Sequence, residues 1–150
     1  MEDEDIIRLF ENHEIRTIDY VETNQTYYSV LDTIKVITDS ENPKQYWQNI
    51  VEDGILFGTD LTENCKTFDV ESSDGKFVKM EFATREHILR IISSIPSPKA
   101  EPYKEWLSKQ GMDRINEISD PELIIQKAIS DFENLGYSKY WISRKIRSII

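Results

Sequence analysis

The alternation of apolar and polar residues changes period several times along the chain, and each change marks an element. Residues 5–13 set Ile6, Leu9 and Phe10 on one side behind an acidic start, the pattern either of a short amphipathic helix with carboxylates at its N-terminus or of a frayed, disordered start. From 15 to 21 the period falls to two, with Ile15, Thr17, Asp19 and Val21 on one face and Arg16, Ile18 and Tyr20 on the other, which predicts a strand. Glu22-Thr23-Asn24-Gln25 is a polar turn and Thr26-Tyr27-Tyr28 resumes the alternation, so a hairpin is expected. Ser29 is placed to cap a helix carrying Val30, Leu31, Ile34 and Ile37 and ending near Thr38. Asn42 and Pro43 supply the cap and first position of a second helix through Tyr46, Trp47 and Ile50, which Gly54 is expected to end.

Residues 55–64 show no period. The runs 65–71 and 76–82 alternate again around Ser72-Ser73-Asp74-Gly75, and an Asp-Gly pair between alternating runs signals a hairpin. Thr84 caps a helix with a wide stripe of Ile88, Leu89, Ile91, Ile92 and Ile95. Pro96, Pro98 and Pro102 interrupt the pattern. A helix from about Pro102 to Lys109 is expected to stop at Gly111, a longer one to start at Asp120-Pro121 and stop at Gly136, and a last one to start at Ser138. Ile88, Leu89, Ile92, Ile95, Trp106, Ile125, Ile129 and Phe132 are the expected main core. The architecture this predicts is α+β: a small antiparallel sheet from hairpins near 15–28 and 65–82, with five to six helices. Residues 1–14 read as an acidic N-terminal segment and 15–150 as a single domain. The last helix ends on two isoleucines, which suggests truncation at the C-terminus and an apolar strip at Ile142, Ile146 and Ile149 that either docks on the domain or pairs with a second copy.

With 150 residues the chain is long enough for one core without disulfides or a metal, and its single cysteine, Cys65, rules out a disulfide framework. No apolar run is long enough to cross a bilayer and the N-terminus is acidic, so no membrane association and a cytoplasmic location are expected. The net charge of −10 repels phosphate backbones, so nucleic-acid contact requires a local basic surface. Two stretches supply one: 76–104 has six basic and three acidic residues, and 137–150 has four basic and none acidic. Lys139, Arg144, Lys145 and Arg147 in the second stretch read as cations complementing the C-terminus of a terminal helix.

The glycines cannot form a dinucleotide or Walker loop, and no nucleophile-elbow, zinc-protease or paired-cysteine motif is present. His13 and His87 fall on different elements. No enzymatic activity, catalytic residue, metal or cofactor is therefore expected. The helix after Pro43 opens instead with Lys44, Gln45, Gln48 and Asn49, side chains of the types that reach bases and phosphates. With the preceding helix and the following hairpin it has the layout of a winged helix-turn-helix. Lys76, Lys79 and Lys99 are then candidates for phosphate contacts. Trp47 is read as a core residue.

Several segments together resemble the BRO family N-terminal domain found in prophage antirepressors, baculovirus BRO proteins and DNA-damage-inducible protein D. They are Tyr28-Ser29-Val30-Leu31-Asp32, Thr38-Asp39-Ser40 with Pro43, Tyr46-Trp47, Asp74-Gly75-Lys76 and Leu89-Arg90-Ile91-Ile92. The most specific is the run from Ser94 to Lys104 with Trp106-Leu107, followed by Asp120-Pro121-Glu122-Leu123, Gly136-Tyr137-Ser138 and Trp141-Ile142. The resemblance spans about residues 15–148. Relatives carry basic residues after the Tyr-Trp pair, where this chain reads Gln48-Asn49-Ile50-Val51-Glu52-Asp53. The resemblance implies a phage- or prophage-type regulatory domain, antirepressor-like, that acts through DNA. The acidic balance offers an alternative: a protein-binding module that imitates DNA and occupies a basic site on a repressor or recombination protein.

Overall fold

The computed structural model describes residues 3–149, with the side chains of Ile146 and Ile149 outside the described set. The chain divides into two compact units, Met1–Trp106 and Leu107–Ile150. In the first, helix α1 (Asp3–Glu11) precedes the hairpin β1 (Thr17–Tyr20) and β2 (Gln25–Ser29). Helices α2 (Val30–Thr38) and α3 (Pro43–Leu56) follow, then the hairpin β3 (Lys66–Glu71) and β4 (Phe77–Ala83), helix α4 (Arg85–Ile92) and a 3-10 turn at Pro98–Ala100. Helix α5 (Glu101–Ser119) contains the unit boundary; α6 (Glu122–Asn134) and α7 (Lys139–Ile149) belong to the second unit. The fold is α+β, with seven α-helices among the described residues where the sequence predicts five to six.

Three of the caps read from the sequence are made, whereas α6 starts at Glu122 with Pro121, not Asp120, in the cap position and no side-chain cap. Ser29, Asn42 and Thr84 each accept a hydrogen bond from a first-turn N–H of α2, α3 and α4. Two predicted helix ends are not. Gly54 lies inside α3, and Gly111 lies inside α5. A glycine ends a helix when it takes the left-handed conformation, as Gly136 does after α6 at φ 90°. Gly54 answers a different need: a Cβ there would sit 2.8 Å from the Thr59 carbonyl oxygen, where the chain turns back and Thr59 N–H donates to the Gly54 carbonyl at 2.7 Å.

The four strands form one antiparallel sheet in the order β1-β2-β4-β3. The β3–β4 hairpin is therefore not a free wing but the other half of the sheet, joined to β2 through Tyr28 opposite Ala83 and Ser29 opposite Phe82. The sheet curls so far that its two outermost strands meet: the Tyr20 and Phe68 rings lie 6.0 Å apart. Tyr27, Met80 and Phe82 fill the hollow. The main core lies against the helices and holds Val30, Ile34, Ile37, Trp47, Ile50, Leu61, Ile88, Ile91, Ile92 and Ile95. The acidic N-terminal segment joins it, since Ile6 and Leu9 are buried and Phe10 packs edge-on against Tyr28.

Of the expected core, Ile88, Ile92 and Ile95 are buried and Leu89 is partly so. Trp106 is half-buried, its indole donating to Asp3 at 2.8 Å. Ile125, Ile129 and Phe132 do not enter this core. They belong to the second unit, where Ile125 is exposed and Phe132 packs with Tyr137 and Trp141 at the turn between α6 and α7. A stripe on a short helix can be covered by its sequence neighbour, and α6 packs against α7.

Candidate nucleic-acid interface

Helix α3 is held by one side. Trp47 and Ile50 are buried, and the Trp47 indole N–H donates to Glu81 of β4 at 3.2 Å. At 100° per residue, Lys44, Gln48, Gln45 and Asn49 then follow one another around the opposite arc, and all four are exposed. Asn42 Oδ1 accepts from the Gln45 backbone N–H at 3.2 Å and so fixes the start of this face. The Gln45 side-chain amide donates to Asn49 at 3.0 Å, which pre-orders two groups able to read an adenine edge. Glu52 falls inside this arc, between Gln48 and Gln45, and Asp53 follows Asn49, so Lys44 is its one cation against two carboxylates.

Lys76 sits just after the β3–β4 turn, where its backbone N–H donates to Asp74 at 3.0 Å and Ser72 closes on the same carboxylate. Lys79 lies on the sheet face of Glu81, opposite Asp69. Both lysine side chains are exposed, and among the described residues neither forms an ion pair. Trp47 of α3 hydrogen-bonds Glu81 of β4, two residues along the strand from Lys79.

Lys99 is engaged elsewhere. Its ammonium lies 2.7 Å from Asp39, the residue in left-handed conformation (φ 56°) that ends α2. A cation there complements both the carboxylate and the C-terminal end of the helix. Nothing in the sequence order pairs these two residues, which are sixty positions apart.

An open cleft of about 700 Å³ is lined by Cys65, Lys66, Glu86, His87 and Arg90. Burial, and then the charges of Glu81 and Asp60, push the Cys65 thiol up to about 12, so it stays protonated. The buried His87 ring places Nε2 2.6 Å from the Leu61 carbonyl oxygen. Among the described residues no three His, Cys, Asp or Glu side chains converge to hold a metal. No described helix is long and apolar enough to cross a membrane.

Charge is divided unequally between the units. Residues 1–106 contain 11 basic and 22 acidic residues, a net −11, while residues 107–150 contain 7 and 6, a net +1. In the first unit Arg8, Arg16, Lys99 and Lys104 are each paired with a carboxylate of the same unit. No protein-family model matches the chain, and comparison with curated proteins and with solved structures finds no match.

Proposed function

We propose that this chain is a regulatory domain of the phage or prophage type, related to the BRO N-terminal domains, that acts by binding DNA without catalysing a reaction. The observation that carries this reading is the exposed arc of α3, where Lys44, Gln45, Gln48 and Asn49 stand together with Trp47 and Ile50 turned inward. Gln45 and Asn49 supply base-edge contacts, and Lys44, Lys76 and Lys79 supply phosphate contacts. A mobility shift at low salt with duplex DNA, comparing wild type with Gln45→Ala and with Lys76→Glu/Lys79→Glu, tests it.

A second reading rests on a separate observation, the net −11 of the first unit and the pairing of four of its cations with its own carboxylates. A surface of that sign suits the basic DNA-binding site of a repressor or recombination protein. Its test is competition: the chain displaces DNA from such a purified protein, and added salt abolishes the effect.

A further inference from the structure

Helix α7 has a different character from the rest of the molecule. Lys139, Ser143, Arg147, Tyr140 and Arg144 fall within a continuous arc of about 140° at 100° per residue. All five are exposed. Ile142, on another side of the helix, is 2% exposed; Lys139, Ser143 and Arg147 rim the groove between α7 and α6, and Tyr140 and Arg144 lie further round the helix. No acidic residue occurs from 137 to 150, and none of the three cations of the arc forms an ion pair among the described residues. Glu133 of α6 lines the groove shared by Lys139 and Arg147 without pairing to either. Tyr140 is 73% exposed, and the Arg144 guanidinium lies 5.8 Å from its ring centroid.

Helix-dipole compensation accounts for Arg147 in the last turn but not for Lys139, which sits in the first turn, where a cation is disfavoured. Among the described residues none of the three is an ion-pair partner. What remains is a row of unneutralised cations beside an exposed aromatic ring and a hydroxyl, the combination that tracks a phosphodiester backbone and stacks a base. An interfacial membrane helix would need its apolar side free to enter lipid, and Ile142 is turned into the protein. The approach to α7 is also built: Phe132, Tyr137 and Trp141 pack together, with Tyr137 and Trp141 stacked at 4.1 Å, and Ser138 accepts from the Trp141 N–H at 3.2 Å. These interactions fix the four-residue turn at Gly136 and the direction in which α7 leaves it.

We infer that the Lys139–Ser143–Arg147–Tyr140–Arg144 face of α7 is a second nucleic-acid-binding surface, with the cations on phosphates and Tyr140 stacked on a base. This surface is independent of α3 and stands even if the α3 reading fails.

The test is fluorescence anisotropy of the full chain with a labelled duplex and a labelled single strand of one sequence, titrated over a range of salt. The variant Lys139→Gln/Arg144→Gln/Arg147→Gln should lower the magnitude of the log-affinity against log-salt slope by about 2.7 on duplex, roughly 0.9 for each phosphate no longer neutralised. Tyr140→Ala should weaken binding to the single strand more than to the duplex. Lys145→Gln removes the same charge from the same helix outside the arc and should change the slope by less than any arc cation. Unchanged far-ultraviolet circular dichroism shows that each variant is folded. The inference is overturned if the triple variant binds like wild type, if Lys145→Gln costs as much as Arg144→Gln, or if wild type binds neither nucleic acid. Binding confined to anionic phosphatidylserine vesicles would also overturn it. Loss of binding in Lys76→Glu/Lys79→Glu with the α7 triple variant intact would leave only the α3 surface; the opposite result would leave only α7.

Discussion

Arg16 and Asp32 meet as a two-pronged pair, with Nε 2.7 Å from Oδ2 and Nη2 2.8 Å from Oδ1, and the Arg16 backbone N–H donates to the same carboxylate at 3.0 Å. The three bonds tie the entry of β1 to the first turn of α2. Burial raises the Asp32 pKa, but the hydrogen bonds and charge of Arg16 outweigh it and hold the carboxyl below its ordinary value. A carboxyl depressed in the folded state adds stability that is complete above its unfolded pKa of about 3.9 and disappears as pH falls through the lower folded value. Asp32→Asn should therefore cost about 1 kcal/mol near neutrality, at the upper end for a pair with one partner half exposed. Chemical denaturation of both proteins across pH should show the difference shrinking below about pH 4.

The two helical glycines should respond oppositely to alanine. At Gly54 the new Cβ meets the Thr59 carbonyl, a backbone atom that cannot move without breaking the turn, so Gly54→Ala should destabilise by about 1–3 kcal/mol. At Gly111 nothing lies within 4 Å and φ is not positive, so Gly111→Ala should raise α5 stability by about 0.5–1 kcal/mol. Thermal unfolding of the pair checks both signs.

Ile92 is fully buried on α4, whereas Ile125 on α6 is 38% exposed. Ile92→Ala should cost roughly 2–5 kcal/mol, the range for emptying a buried aliphatic site. Ile125→Ala should cost well under that. Equal losses in denaturant titrations would show that the stripe of α6 is buried as deeply as that of α4.

Cys65 should be inert. With its thiol held near 12, the thiolate fraction at pH 8 is on the order of one part in ten thousand. Iodoacetamide should modify the native chain far more slowly than the urea-unfolded chain, and native reactivity matching a free thiol would show that the side chain is open.

Much of the fold is local and was legible. The caps at Ser29, Asn42 and Thr84, the Asp-Gly hairpin and the period-two strands all lie within a few residues of the groups they govern. Gly54 and Gly111 misled because a glycine is a stop signal only in the left-handed conformation, which composition does not reveal. The long-range pairs were hidden for a different reason. Lys99 with Asp39 and Trp47 with Glu81 depend on how elements pack, and no periodicity encodes their partners. The candidate site was legible to the same extent. The face of α3 follows from helical spacing once Trp47 is taken as buried, while the engagement of Lys99 required the tertiary structure. Of the apolar strip expected on the last helix, Ile142 is buried, and the Ile146 and Ile149 side chains lie outside the described residues.

The most direct measurement of the central claim is the salt dependence of duplex DNA binding by wild type and by Lys76→Glu/Lys79→Glu. Leaving two phosphates without their lysines should reduce the magnitude of the slope by about 1.8, at roughly 0.9 each, and weaken binding to every sequence alike, whereas Gln45→Ala should weaken only some sequences. A double variant that binds all sequences with the affinity and slope of wild type would contradict the claim that this surface carries the DNA.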